Sequence, residues 1–382
     1  MWSSWSSRRG VVALVALVAA GLLALAGTAA AVPATTLPPG LTLSVQDDHL
    51  AVTPEANLPA RMNLVAGTGV RVTRVDVLWN TVAPTRPASA SNPNDAAYRW
   101  SRYDAVVDGF AARGVSVILN VYRSPSWANG GRGFEWAPTE ASFSAFMTAL
   151  ARRYDGRTRD RAGRVHGLVE MFEPWNEPNL ARFLMPQWQR QANGTYTPAS
   201  PRIYAGLLAR AYAAVKSVQP QAWVIGVSGG PNGSNNAPNG SVGIVPFVRG
   251  LVPFHPPADA FAQHLYTALG PAASVAMPSY TRLPELIGEL DAVRPGLPML
   301  VTEFGWTTKP TSVRASFVSE QDQEANLRQA VDMLAAVPRV RLAVWFNLED
   351  NTEWTAGLRR ADATAKPSWA TFSALPKFRL PT

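Results

Sequence analysis

The chain has 382 residues, with 35 Lys plus Arg against 27 Asp plus Glu and a formal charge of +8. It has no cysteine and four histidines, which excludes a disulfide-stapled scaffold and any cysteine-built metal or redox centre. The positive charge is mostly arginine scattered along the chain, with no basic stripe, so no nucleic-acid partner is expected.

In chain order, residues 1–31 read as a signal peptide rather than as fold. A polar start ending in Arg8-Arg9 precedes an apolar run over 11–26, and Ala29-Ala30-Ala31 offers a cleavage site before Val32. Ser7-Arg8-Arg9-Gly10-Val11-Val12 also fits a twin-arginine signal, and an ordinary Sec signal stays open. An uncleaved anchor is a third reading, since 11–31 could just span a bilayer; membrane association is expected only in that case. The expected location is therefore secreted. Residues 32–40 read as a Pro/Thr-rich linker.

Beyond the linker, apolar β-type runs alternate with helical patterns. Strands are expected at 41–46, 71–79, 115–121, 167–172, 222–227, 258–266, 298–304 and 342–347. Helices are expected at 102–113, 141–154, 202–218, 320–336 and 368–375. Ser319, with Asp322 three residues on, caps the helix at 320. On the second strand the period of two puts Arg74 and Asp76 on one face. Eight strands with helices between them predict an α/β chain, a single (β/α)8 barrel over 41–376, expected to be a monomer.

Two phrases carry the chemistry. Phe172-Glu173-Pro174-Trp175-Asn176-Glu177-Pro178-Asn179 follows the fourth strand, and Leu300-Val301-Thr302-Glu303-Phe304-Gly305-Trp306 ends the seventh. Each delivers a glutamate to the C-terminal end of a strand, the rim where barrel enzymes build their sites. Two carboxylates facing each other there can break a glycosidic bond without a cofactor or metal. Their mutual repulsion keeps one proton on the pair near neutral pH. Glu173 lies inside its strand and reads as a buried, paired carboxylate.

These phrases resemble the clan A retaining glycoside hydrolases, and the fuller one is similar to families 39 and 5 (cellulase-like) of that clan. The resemblance covers roughly 41–376. It implies Glu177 as acid/base, Glu303 as nucleophile and Asn176 as a ligand of the sugar 2-hydroxyl. It also implies that Arg74 and Tyr266 steady an ionised Glu303, leaving Glu177 with the raised pKa, and that His264 lies in the same site. Arg74 as a buried salt-bridge partner of Asp76 or Glu173, and His264 as an ordinary core histidine, remain open. Pro125-Ser126-Trp127 resembles a lining segment, and Trp127, Trp306 and Trp345 are the tryptophans expected to touch sugar. For Trp345 the resemblance further implies a cis bond to Phe346 that lays the indole flat beneath the sugar. The reading is a secreted retaining β-glycosidase acting on an oligo- or polysaccharide. A silent carbohydrate-binding barrel and a membrane-retained surface protein are the alternatives.

Overall fold

The computed structural model describes residues 40–234, 240–274 and 276–380; the expected signal peptide lies outside them. Eight strands form one sheet: β1 Thr42–Gln46, β2 Val72–Leu78, β3 Ser116–Tyr122, β4 Met171–Pro174, β5 Trp223–Gly229, β6 Ala260–Leu265, β7 Met299–Phe304 and β8 Val340–Phe346. Their spatial order is β1-β8-β7-β6-β5-β4-β3-β2, with every pair parallel. The two ends of this order meet through side chains. Ser44 Oγ donates to the Val72 carbonyl and Thr73 Oγ1 to the Val45 carbonyl, each at 2.7 Å. Hydroxyls thus close the seam of a (β/α)8 barrel.

A helix follows each strand: α1 Leu58–Gly67, α2 Ser101–Ala111, α3 Glu140–Arg153, α4 Ser200–Val218, α5 Ile244–Leu251, α6 Leu283–Val293, α7 Glu320–Ala335 and α8 Pro367–Ala374. Ser319 caps α7, accepting from the Asp322 backbone N–H at 3.0 Å. No sequence expectation covers α1, α5 and α6. Each has a proline in its first turn, Pro59, Pro246 and Pro284. Proline resembles loop punctuation but is tolerated there, because the first N–H groups of a helix have no internal partner. The fourth strand also starts later than expected, at Met171 rather than 167.

Strand alternation divides the barrel interior into two levels. Low in the barrel, inward side chains such as Val72, Ile118, Met171, Ile225, Leu300 and Val344 form their own apolar cluster. Outward neighbours such as Val45, Phe172, Val301 and Trp345 join the larger core under the helices. Toward the C-terminal rim the inward positions turn polar: Gln46, Arg74, Asn120, Glu173 and His264 are all buried. One sheet therefore supplies both an apolar plug and, above it, a polar platform.

Candidate active site

Two strands depart from simple alternation at the rim, and both departures aim a functional side chain. On β6, Ala262 and His264 face inward; their partners on β7 are Leu300 and Glu303, three residues apart instead of two. The extra residue is a bulge, which turns Glu303 inward where alternation would send it to the helices. On β5 the register slips between Gly226 and Gly229, and Val227 and Ser228 both have positive φ. Ser228 is thereby turned inward beside Glu173. The backbone N–H of Val227, lost to the ladder, donates to Tyr204 Oη at 2.8 Å.

Glu177 is fixed by its loop. Its N–H donates to the Ser228 carbonyl at 3.0 Å, and it holds φ of 40°. Asn179, fully buried, ties this loop to the next by donating to the Gly230 and Val242 carbonyls and accepting from the Gly230 N–H. Gly230 leaves room for this loop: a Cβ there would lie 2.5 Å from Leu180 Cδ1 and 2.9 Å from Glu177 Cδ, so a larger residue would displace one of those side chains.

Arg74 organises the platform. Its guanidinium donates to Glu173, to Gln46 Oε1 at 2.8 Å, to Glu303 Oε1 at 2.9 Å and to Asn176 Oδ1 at 2.7 Å. Asp76 Oδ1 lies 3.5 Å away. The other oxygen of Glu303 accepts from Tyr266 Oη at 2.7 Å. His264 Nδ1 lies 2.9 Å from Glu177 Oε1 and 3.4 Å from Glu303 Oε2. Its Nε2 lies 3.2 Å from Ser228 Oγ, whose hydroxyl donates to Glu173 Oε1. Ser228 therefore has a lone pair to offer, and His264 can donate from both nitrogens. Arg182 closes the set, donating from Nη2 to Glu177 Oε2 at 3.1 Å.

Carboxylate oxygens of Glu177 and Glu303 and a ring nitrogen of His264 lie within 4.8 Å of one another. Such a trio could in principle ligate a metal. Here both carboxylates already accept from Arg74, Tyr266, His264 and Arg182, so the set is satisfied without one.

The charges of the two carboxyls differ from expectation. Burial pushes Glu177 up, but His264 and Arg182 outweigh it and hold the carboxyl below its ordinary value. Burial pushes Glu303 up, and despite His264 and Arg74 it stays above its ordinary value. His264 is raised as well: burial disfavours its charge, but Glu303 and Glu177 outweigh that. The reversal has an electrostatic origin. Burial opposes the charge of both, but His264 hydrogen-bonds Glu177 with Arg182 in support, whereas Glu303 also meets the like charges of Glu177 and Asp76.

Above the platform opens a cleft of about 410 Å³, lined by Glu177, Glu303, Asn176, Tyr266, Phe346 and Trp354 among others. Arg74 and His264 are fully buried and do not line it; they act on the carboxylates from below rather than on a ligand. None of the three expected tryptophans reaches it. Trp345 pairs with Val45 in the ladder, on the outer face of β8, and donates to the Ala356 carbonyl within the core. The inward position is the next one, Phe346, beside Gln46. The non-proline cis bond is likewise Phe346–Asn347, not Trp345–Phe346. Trp306 is buried, stacked on Tyr280. Trp127 packs edge-on against Trp79 and donates to the Ala83 carbonyl; its loop presents Phe134 to the cleft instead. The indole that lines the cleft is Trp354, half-buried against Tyr266 and Phe346. Sequence reasoning also passed over Gln46, Asp48, Asn120, Arg182, Ser228 and Arg314. Gln46, at the C-terminal end of a strand, carried a signal; the loop residues carried none.

With this geometry in place, comparison with known families is decisive. The family model for cellulase, glycosyl hydrolase family 5, matches residues 40–347. The chain belongs to this family. Solved structures agree on the fold. A family 39 glycoside hydrolase from the gut symbiont Bacteroides cellulosilyticus WH2 is 20% identical with a TM-score of 0.57, the match covering 88% of this chain and 63% of that one. A glucosidase from Croceicoccus marinus is 17% identical with a TM-score of 0.62, covering 89% and 67%. A GH5_18 protein from Streptomyces cattleya is 15% identical with a TM-score of 0.61, covering 89% and 82%. This family 5 chain thus spans under two thirds of the first of these structures. No curated protein sequence matches it significantly.

Proposed function

We propose that this family 5 protein is a glycoside hydrolase, and specifically a secreted retaining β-glycosidase. Glu303 attacks the anomeric carbon as the bond to the leaving oxygen breaks, and Glu177 gives that oxygen its proton. Water then attacks the glycosyl–Glu303 ester, passing its proton to Glu177. The observation that carries this reading is the spacing: oxygens of the two carboxylates lie within 4.8 Å. Retaining enzymes hold their carboxyls about 5–5.5 Å apart, while inversion needs roughly 6.5–9.5 Å to admit water between acid and base. Tyr266 supports the assignment by donating to Glu303; burial and then Glu303 itself hold its hydroxyl protonated well above the usual phenol range. Asn176 lines the cleft with its Oδ1 held by Arg74, which supports a role for it at a sugar hydroxyl.

The test is the anomeric configuration of the first product, followed by proton NMR on β-linked oligosaccharides that the secreted protein cleaves. The β-anomer is expected first; initial release of the α-anomer would falsify retention. Glu303→Gln should abolish turnover of every substrate, which a silent binding barrel would not show. Sequencing the mature N-terminus separates secretion from membrane retention.

A further inference from the structure

The cleft has an acidic wall and, among the described residues, a basic group that forms no ion pair. On the β1–β2 side stand Asp48 and Asp76, sharing the Gln46 amide as donor. In the loop after β7, lining the same cleft, stands Arg314. Its loop is pinned: the Arg314 N–H donates to Thr311 Oγ1, the Thr311 N–H to the Arg314 carbonyl, and Thr311 Oγ1 to the Glu353 carbonyl. Its guanidinium lies 5.4 Å from the Tyr266 ring centroid and 5.2 Å from that of Trp354. Among the described residues it makes no hydrogen bond or ion pair through its side chain. A half-buried cation held against two rings has all five N–H donors unspent, an arrangement that an anion relieves. Arg123 repeats the theme in the same cleft: it lies against Tyr122 and Phe134, and its buried Nε has no partner.

Tyr266 links this cation to the reacting groups: its hydroxyl donates to Glu303, its ring lies against Arg314, and all three line one cleft. We propose that Arg314 forms an anion-binding subsite, and that the preferred substrate is a β-linked glycan whose sugar at the cleaved bond bears a carboxylate or sulfate. The acidic wall would take that sugar's hydroxyls. This inference rests on the glycosidase reading above, but its test does not.

The test uses the full chain with Glu303→Gln, titrated calorimetrically with three tetramers that differ only at C6. They are cellotetraose, its β-1,4-linked glucuronic acid counterpart and 6-O-sulfated cellotetraose. One anionic tetramer should bind about tenfold or more tightly than the neutral one, as charge-assisted pairing to arginine allows. Which of them does so separates carboxylate from sulfate. Adding Arg314→Gln should collapse that ratio, and Arg314→Lys should restore part of it. Equal binding of all three, binding of none, or a ratio unchanged in Arg314→Gln overturns the subsite. Anion-selective binding without turnover by the wild-type protein would retain the subsite and sink the glycosidase reading.

Discussion

The lower and upper levels of the barrel interior are built from the same eight strands, yet they obey different rules. Below, Ile118, Leu300 and Val344 fill space, and any chain with apolar residues at those positions would do. Above, Arg74 is committed to four acceptors, and each acceptor depends on it. The lower level is additive packing. The upper level is a network in which one side chain sets the position and charge of several others, so substitutions there should couple where those below do not.

The sharpest break comes from removing the hub. Arg74→Met leaves Glu173 buried without its cation, a change that typically costs about 3–5 kcal/mol. It should also abolish activity, because Glu303 loses the donor to its Oε1 and Asn176 loses its anchor. Leu342→Ala in the lower cluster should cost a similar about 2–5 kcal/mol by denaturant unfolding. Its kcat and KM, measured well below the unfolding transition, should stay within a few-fold of wild type. If both variants lose stability and activity in the same proportion, the two levels are not functionally distinct.

A milder probe is Ser228→Ala, which deletes the hydroxyl between Glu173 and His264. Leaving buried partners unsatisfied costs about 1–3 kcal/mol. Because the His264 imidazolium loses an acceptor, its pKa should fall. A group whose folded pKa is raised contributes stability below its unfolded pKa and loses it as pH rises through the folded one. His264 should therefore contribute less stability below about pH 6.5, its ordinary pKa, in Ser228→Ala than in wild type. Unfolding curves at pH 5.5 and 8 check this; an equal loss at both would show that the serine acts by packing alone.

The same contrast explains what could be read from sequence. The lower level follows hydropathy and a period of two, so all eight strands were visible, and the two glutamate phrases marked the rim. Arg74 was found by alternation with Asp76. The resemblance misplaced a residue that alternation would have placed correctly: it put Trp345 beneath the sugar, but parity puts it on the helix side and Phe346 on the cleft side. Strict parity would conversely have sent Glu303 outward; only the bulge beside it, a pairing feature invisible in one chain, turns it in. Ser228 was hidden for the same reason, its orientation coming from two left-handed residues with nothing unusual in their identity. Arg182, Arg314 and Trp354 sit on loops, where no periodicity operates and position follows from tertiary contacts.

The smallest effect on stability, and the most informative about mechanism, belongs to Arg182. Its side chain is 66% exposed, so its pair with Glu177 should add well under 1 kcal/mol to folding. Its consequence for proton transfer is larger. Glu177 Oε1 faces His264, which leaves Oε2 as the oxygen open to the cleft, and Arg182 occupies it. A leaving-group oxygen must meet the same atom, so substrate has to draw the guanidinium aside. While it stays, it helps hold Glu177 below its ordinary pKa, alongside the stronger contribution of His264. The alkaline limb of kcat/KM reports the acid of the free enzyme. Removing a positive neighbour raises a carboxyl pKa, so Arg182→Gln should move that limb to higher pH, while His264 and Glu303 keep their places around Glu177. The acid form would then persist over a wider range, and substrates with poor leaving groups should gain most near neutrality. A limb that stays fixed, or moves to lower pH, would mean that Arg182 does not govern the proton on Glu177.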